Sequence, residues 1–244
     1  MNPRDVQALD LAVSAGLVTT TAAPLVAGVT AERALFDALA FHLGRCKARL
    51  EDASGAGRHQ EIGFSLVVPR WREAWREPDY PMAILESESR RELSSMGRAP
   101  APDPRDPSAD WISPDGLYAL WDAGEEQGEG RVLLYASYEP QAAALAAAVE
   151  AALGGGPEGQ GASHVPLPES FLPTPFQGVL PPALYPKARV VPMPATPTDN
   201  ELEDAAEEGA WRADVRFSWR APKLVARPRA ADYDPRVSVT VPRP

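Results

Sequence analysis

The run WRADVRFSWRA, residues 211–221, alternates apolar and polar side chains at every position. Trp211, Ala213, Val215, Phe217 and Trp219 fall on one face, and Arg212, Asp214, Arg216, Ser218 and Arg220 on the other. Successive side chains of an extended chain point to opposite faces, so this period predicts a strand with one buried and one wet side. No other segment has so clean a two-residue period. A chain with this run has to supply a sheet, and something apolar to cover Phe217 and Trp219.

Candidate covers are present. Leu35, Leu39, Leu43, Cys46 and Leu50 recur at helical spacing and predict a helix over 31–50, with Thr30 as N-cap and Glu32 in its first turn. Glu139 and Pro140 open a second helix, with Leu145, Val149 and Leu153 as its stripe and the glycines at 154–156 as its stop. Further strands are expected at EIGFSLVV (61–68), Met82–Leu85 and Ala188–Pro192, with a short one at Val237–Val241. GLYALWDA (116–123) and RVLLYASY (131–138) read as an antiparallel hairpin, with the acidic, glycine-flanked 124–130 as its exposed turn. Asp199 to Glu208 reads as a solvated turn or a short helix. Segregated strands with one layer of helices indicate an α+β fold: a mostly antiparallel or mixed sheet covered on one side by two main helices.

The 27 prolines and 18 glycines are clustered, which marks long irregular segments. Residues 98–115 and 154–186 are expected as long loop insertions in a single domain over 30–244, preceded by an N-terminal arm over 1–29. In that arm Asp5 and Asp10 interrupt the apolar pattern and only Arg4 is basic, so a secretory leader is not expected. No run of 18 apolar residues exists, and no membrane partner is expected.

Chemistry is hard to assemble from these residues. The single cysteine, Cys46, lies on the apolar stripe of the first predicted helix, where a thiol ordinarily acts as a small buried hydrophobe. His42, His59 and His164 fall on three separate elements with no HxH or HExxH spacing. GGGPEGQG (154–161) lacks the GK[ST] end of a phosphate loop and follows a helix instead of a strand. Acid pairs such as Glu125–Glu126 and Glu207–Glu208 read as solvated turns, although a dispersed acidic site in a small enzyme or ligand-binding domain stays open. No cofactor is expected.

The formal net charge of −10 argues against a general nucleic-acid binder. Against that acidity, Arg212, Arg216 and Arg220 form a basic stripe. It is either the wet side of a strand or a surface facing acids or nucleic acid. The acidic segment containing Glu203, Asp204, Glu207 and Glu208 offers a complement on a neighbouring copy. Trp71 and Trp75, four apart in WREAWRE, are further interface candidates, since Trp and Arg concentrate binding energy at interfaces.

Taken in order, four segments give the chain a resemblance to the tail terminator and neck proteins of tailed bacteriophages. They are ERALFDALAFHLGRCKARL with the following VVPRWREAWREPDYPMAIL; RVLLYASYEPQAAALAAAVEAAL; HVPLPESF; and DNELEDAAEEGAWRADVRFSW. The resemblance implies a non-enzymatic, ring-forming subunit, typically hexameric, made in the bacterial cytoplasm and built into a virion or phage-like particle. It would cap the tail tube and join it to the neck or connector, reading no nucleic-acid sequence even if its channel admits DNA. Another tail, baseplate or contractile-injection component is the alternative within the same class.

Overall fold

The computed structural model describes residues 25–26, 29–51, 59–70, 80–155, 161–193, 203–205 and 210–229. Its fold is α+β, a mixed sheet with two helices. The strands are β1 (Leu25–Val26), β2 (Lys47–Glu51), β3 (His59–Gly63), β4 (Leu66–Pro69), β5 (Met82–Pro100), β6 (Pro102–Asp103), β7 (Asp106–Asp110), β8 (Tyr118–Ala136), β9 (Ser163–Pro166), β10 (Lys187–Pro192), β11 (Glu203–Ala205) and β12 (Ala210–Pro228). The helices are α1 (Ala31–Leu43) and α2 (Glu139–Gly154). The main sheet runs β4-β5-β8-β12-β10-β9, with β1 and β11 also on β12, and every pairing is antiparallel except β4 with β5.

Three strands dominate. β5, β8 and β12 are each 19 residues long, about 60 Å at ~3.3 Å per residue. The alternation at 211–221 is therefore the first part of a longer strand. Val215, Phe217, Trp219 and Ala221 are buried and, after a bulge between Pro222 and Leu224, the buried positions become Leu224 and Ala226.

The expected hairpin at 116–138 does not form, because residues 118–136 are one continuous strand and the glycine-rich segment lies inside it. The reason is volume. Gly130 pairs with Phe217 and Gly128 with Trp219. A Cβ on Gly130 would lie 2.7 Å from Phe217 Cζ and 2.9 Å from Phe36 Cζ; one on Gly128 would lie 2.7 Å from Trp219 Cζ2 and would strike the Ser89 carbonyl. The glycines are gaps that receive aromatic rings, a known use of strand glycine at close approach.

Both helices pack on this aromatic face. α1 buries Ala34, Leu35, Phe36, Leu39 and Leu43, and Phe36 meets Phe217 at 5.8 Å between ring centroids. Thr30 caps it by accepting from the Arg33 amide. The helix ends at Leu43 and not at 50: Gly44 follows, and Lys47–Glu51 leaves to pair with β3, so Cys46 and Leu50 lie off the helical stripe. The β2–β3 hairpin instead covers α2 through Ala48, Ile62 and Leu145. At the start of α2 the Gln141 side chain accepts from the Ser137 amide, and Gly155, at φ 69°, ends the helix in the left-handed conformation.

Helices of 13 and 16 residues reach only about 20–24 Å, so they cannot cover strands of ~60 Å. The rest of the apolar face is covered by residues expected to be loop. Leu167, Phe171, Leu172, Phe176 and Leu180, carried on β9 and a chain of single-turn 3-10 helices, join the same core, and Phe176 stands edge-on to Trp111 at 5.6 Å. Residues 98–115 likewise contain the end of β5, the β6–β7 hairpin and the buried Trp111. Other expectations are also revised. EIGFSLVV divides into β3 and β4 at Phe64–Ser65, where the Ser65 amide donates to the Pro81 carbonyl, and part of the acidic 199–208 segment is strand β11. The arm expected over 1–29 supplies β1, paired with Val225 and Ala226. The strand expected at Val237–Val241 lies outside the described residues.

Filling either glycine gap should be costly. Gly130→Ala is expected to destabilise the protein by about 1–3 kcal/mol, the usual cost of overpacking, read as a lower urea midpoint with an unchanged slope. An unchanged midpoint would show that the rings are not seated there.

Candidate functional site

The sheet face opposite the helices holds most of the cross-strand charge, and strand register sorts it into two zones. In the first, Arg216 of β12 pairs with Arg131 of β8, which pairs with Glu86 of β5. Glu86 is only 6% exposed. Arg131 holds one of its oxygens from Nη2 at 2.6 Å and Nε at 2.8 Å, and Arg70 pairs with the other. A bulge between Ser87 and Ser89 turns Glu88 into the same cluster, 3.7 Å from both Arg131 and Arg216. Asp214 accepts from Arg212 Nε and Nη2 at 3.1 and 3.0 Å and stands 3.8 Å from Arg131. Two of the three stripe arginines, Arg212 and Arg216, thus belong to an ion-pair network folded into the sheet, beside the apolar cluster of Met82, Ile84 and Leu133.

The second zone lies further along. Register places Arg91 of β5, Gln127 of β8, Arg220 of β12, Arg189 of β10 and His164 of β9 in one transverse row. At about 4.8 Å between strands the row spans ~19 Å. Arg91, Arg220, Arg189 and His164 are exposed, and a shallow hollow of about 190 Å³ lies between Arg189 and Arg220, lined also by Val191 and Ser218. Among the described residues none of the three arginines has an ion pair. Glu129 and Glu125 share this face in the neighbouring rows. Sequence reasoning found Arg220 but missed Arg91 and Arg189, which register alone brings beside it.

The acidic segment is described only in part. Glu203 of β11 pairs with Arg212 and Asp204 with Trp211 within the same chain. Glu207, Glu208, Trp71 and Trp75 lie outside the described residues. Charge also crosses the core side: Arg90 reaches the buried Glu126 at 3.2 Å and Glu32 of α1 at 3.9 Å, tying helix to sheet.

A groove of about 670 Å³ separates α1 from the edge strand β9. Asp37, Phe41, His42, His164, Pro166 and Tyr185 are among its lining residues. Phe41 is 64% exposed at its margin, with the Arg45 guanidinium 3.9 Å above its ring. Among the described residues no group of three or more His, Cys, Asp or Glu side chains is arranged to hold a metal, and no helix is long and apolar enough to cross a membrane. Cys46 is half-buried, and burial pushes its thiol pKa up. No protein-family model matches the chain, and neither does any curated protein.

Glu86→Ala is expected to cost about 2 kcal/mol in urea unfolding. The value falls below the usual cost of breaking a buried pair because both arginines keep contact with solvent. Arg70→Ala, which removes a head group that is 68% exposed, should cost under about 1 kcal/mol. Equal losses would refute the assignment of Glu86 as the hub. The raised thiol pKa leaves little thiolate at neutral pH, so Cys46 should react with a disulfide reagent several-fold more slowly at pH 7 than free cysteine, gaining speed as pH rises. Reaction at the free-cysteine rate would contradict the burial.

Proposed function

We propose that this protein is a structural subunit of a phage-like particle, a tail terminator or neck ring component that works by docking on copies of itself and on tail and connector proteins. The reading joins the sequence resemblance to one structural observation. A stiff three-stranded ribbon is covered on one face and presents, on the other, a charged row with no ion pair within the described residues. A surface of exposed arginines on a rigid sheet suits protein association, where charge sets orientation and partner choice more than affinity. In this reading the N-terminal 1–29 is a contact arm whose Leu25–Val26 already adds to β12, and the Pro/Gly-rich 154–186 segment is a second contact surface, seated on the domain from Ser163 onward. Another tail, baseplate or injection-machine component uses the same features, and its position along the particle separates the two.

A second reading has its own observation. The groove between α1 and β9 has a volume in the range of small-molecule sites, with His42 and Tyr185 among its lining residues. A ligand-binding domain of this kind is a monomer that retains a bound metabolite.

Mass photometry and negative-stain electron microscopy of the full chain decide between them. The expected result is a closed ring of about six copies, the usual outcome when one heterologous contact repeats with a closing rotation. A strictly monomeric particle at tens of micromolar concentration, carrying a small molecule in native mass spectrometry, would overturn the structural reading.

A further inference from the structure

We infer that the row Arg91, Arg220 and Arg189 docks against the acidic β6–β7 tip of a second copy. This contact builds on the ring reading above and names the surfaces that would join one subunit to the next. The row differs from the rest of its face. A few residues away Arg70, Arg131, Arg212 and Arg216 pair with Glu86, Glu88 and Asp214, whereas among the described residues no acid is paired to the row.

The opposite charge is concentrated at the end of the ribbon. Every residue of β7, Asp106 to Asp110, is exposed, and Asp115 follows in the next turn. Arg105 offsets only Asp103, which it grips at 2.6 Å. Two of the remaining carboxylates, Asp106 and Asp115, are held in place from within. Asp106 accepts from the Ser108 amide at 3.1 Å and hydroxyl at 2.6 Å, and Asp115 from the Ser113 hydroxyl at 2.5 Å and the Leu117 amide at 3.0 Å. These bonds keep both acids ionised, with pKa values below the ordinary range. Carboxylates fixed in this way lose little freedom on meeting a guanidinium.

Row and tip cannot meet within one molecule. The tip is anchored to the ribbon's end, where the Ala101 amide donates to the Leu120 carbonyl. Gln127, in the row, is seven residues back along β8, about 23 Å. A contact between two different patches is heterologous, so it repeats from copy to copy and closes into a ring when the rotation allows. A second copy is favoured over nucleic acid because the chain's net charge of −10 opposes the approach of a polyanion, while the exposed tip of β7 supplies carboxylates.

The test uses two full-length variants, Arg189→Glu/Arg220→Glu and Asp106→Arg/Asp110→Arg, with circular dichroism confirming that each is folded. By mass photometry each alone should assemble at least about tenfold more weakly than the unaltered protein, in line with reversed charges at an interface. Mixed one to one they should recover, because in an alternating ring the reversed row of one faces the reversed tip of the other at half of the contacts and the native row meets the native tip at the rest. Raising the salt should weaken the unaltered assembly. If the unaltered protein assembles but the variants match it, or the mixture fails to recover, the contact is wrong and the ring reading stands. If the unaltered protein is monomeric, both fall. If a 30-base-pair duplex binds the unaltered protein and row reversal abolishes that binding without affecting assembly, the row belongs to nucleic acid instead.

Discussion

The structure depends on how β8 and β12 interlock. Phe217 and Trp219 project from β12 over Gly130 and Gly128 of β8, and Phe36 of α1 closes over the same gap. A sheet carrying two large rings in successive inward positions has no room for a Cβ opposite them. The glycines therefore set how closely α1 approaches, which fixes the position of the helix layer. Burying each ring contributes a few kcal/mol of apolar transfer. That gain requires an unbroken ladder on both sides, which keeps β8 extended through a segment whose composition alone favours a turn.

The same ladder orders the charges on the opposite face. Strand periodicity puts every residue beside a large inward side chain on the outward face, so the packing that buries Phe217 and Trp219 also presents Arg216, Ser218 and Arg220. Bulges then adjust individual positions. The one at Glu88 delivers a carboxylate to Arg131 and Arg216, and the proximal half of the face becomes an ion-paired network. Among the described residues no acid forms an ion pair with Arg91, Arg189 or Arg220. The contrast between a satisfied network and an open row on one rigid surface is the basis for a role in association.

Length mismatch explains the role of the proline-rich segment. The two helices are less than half as long as the three strands, so the far end of the apolar face needs a second cover. Prolines cannot extend a ladder, but they stiffen short 3-10 turns that bring Phe171 and Phe176 into the common core, with Phe176 edge-on to Trp111. That segment also forms one wall of the groove beside α1, so the second candidate site is a by-product of the same covering arrangement.

The alternation at 211–221, the helical stripe through Leu35, Leu39 and Leu43, and the start of α2 at Glu139 were legible in the residues themselves. They rest on local periodicity and capping, which need no distant partner. The strand through 124–130 was not, because glycine there signals a turn until Phe217 and Trp219 are known to lie across from it. Arg220 could be found by its spacing within one strand. Its row with Arg91 and Arg189 could not, since register brings it beside residues on other strands, 129 and 31 positions away in the chain. Local sequence determined which faces are apolar and which are wet; the tertiary structure decided which charges on the wet face find partners, because ion pairing depends on distances across strands.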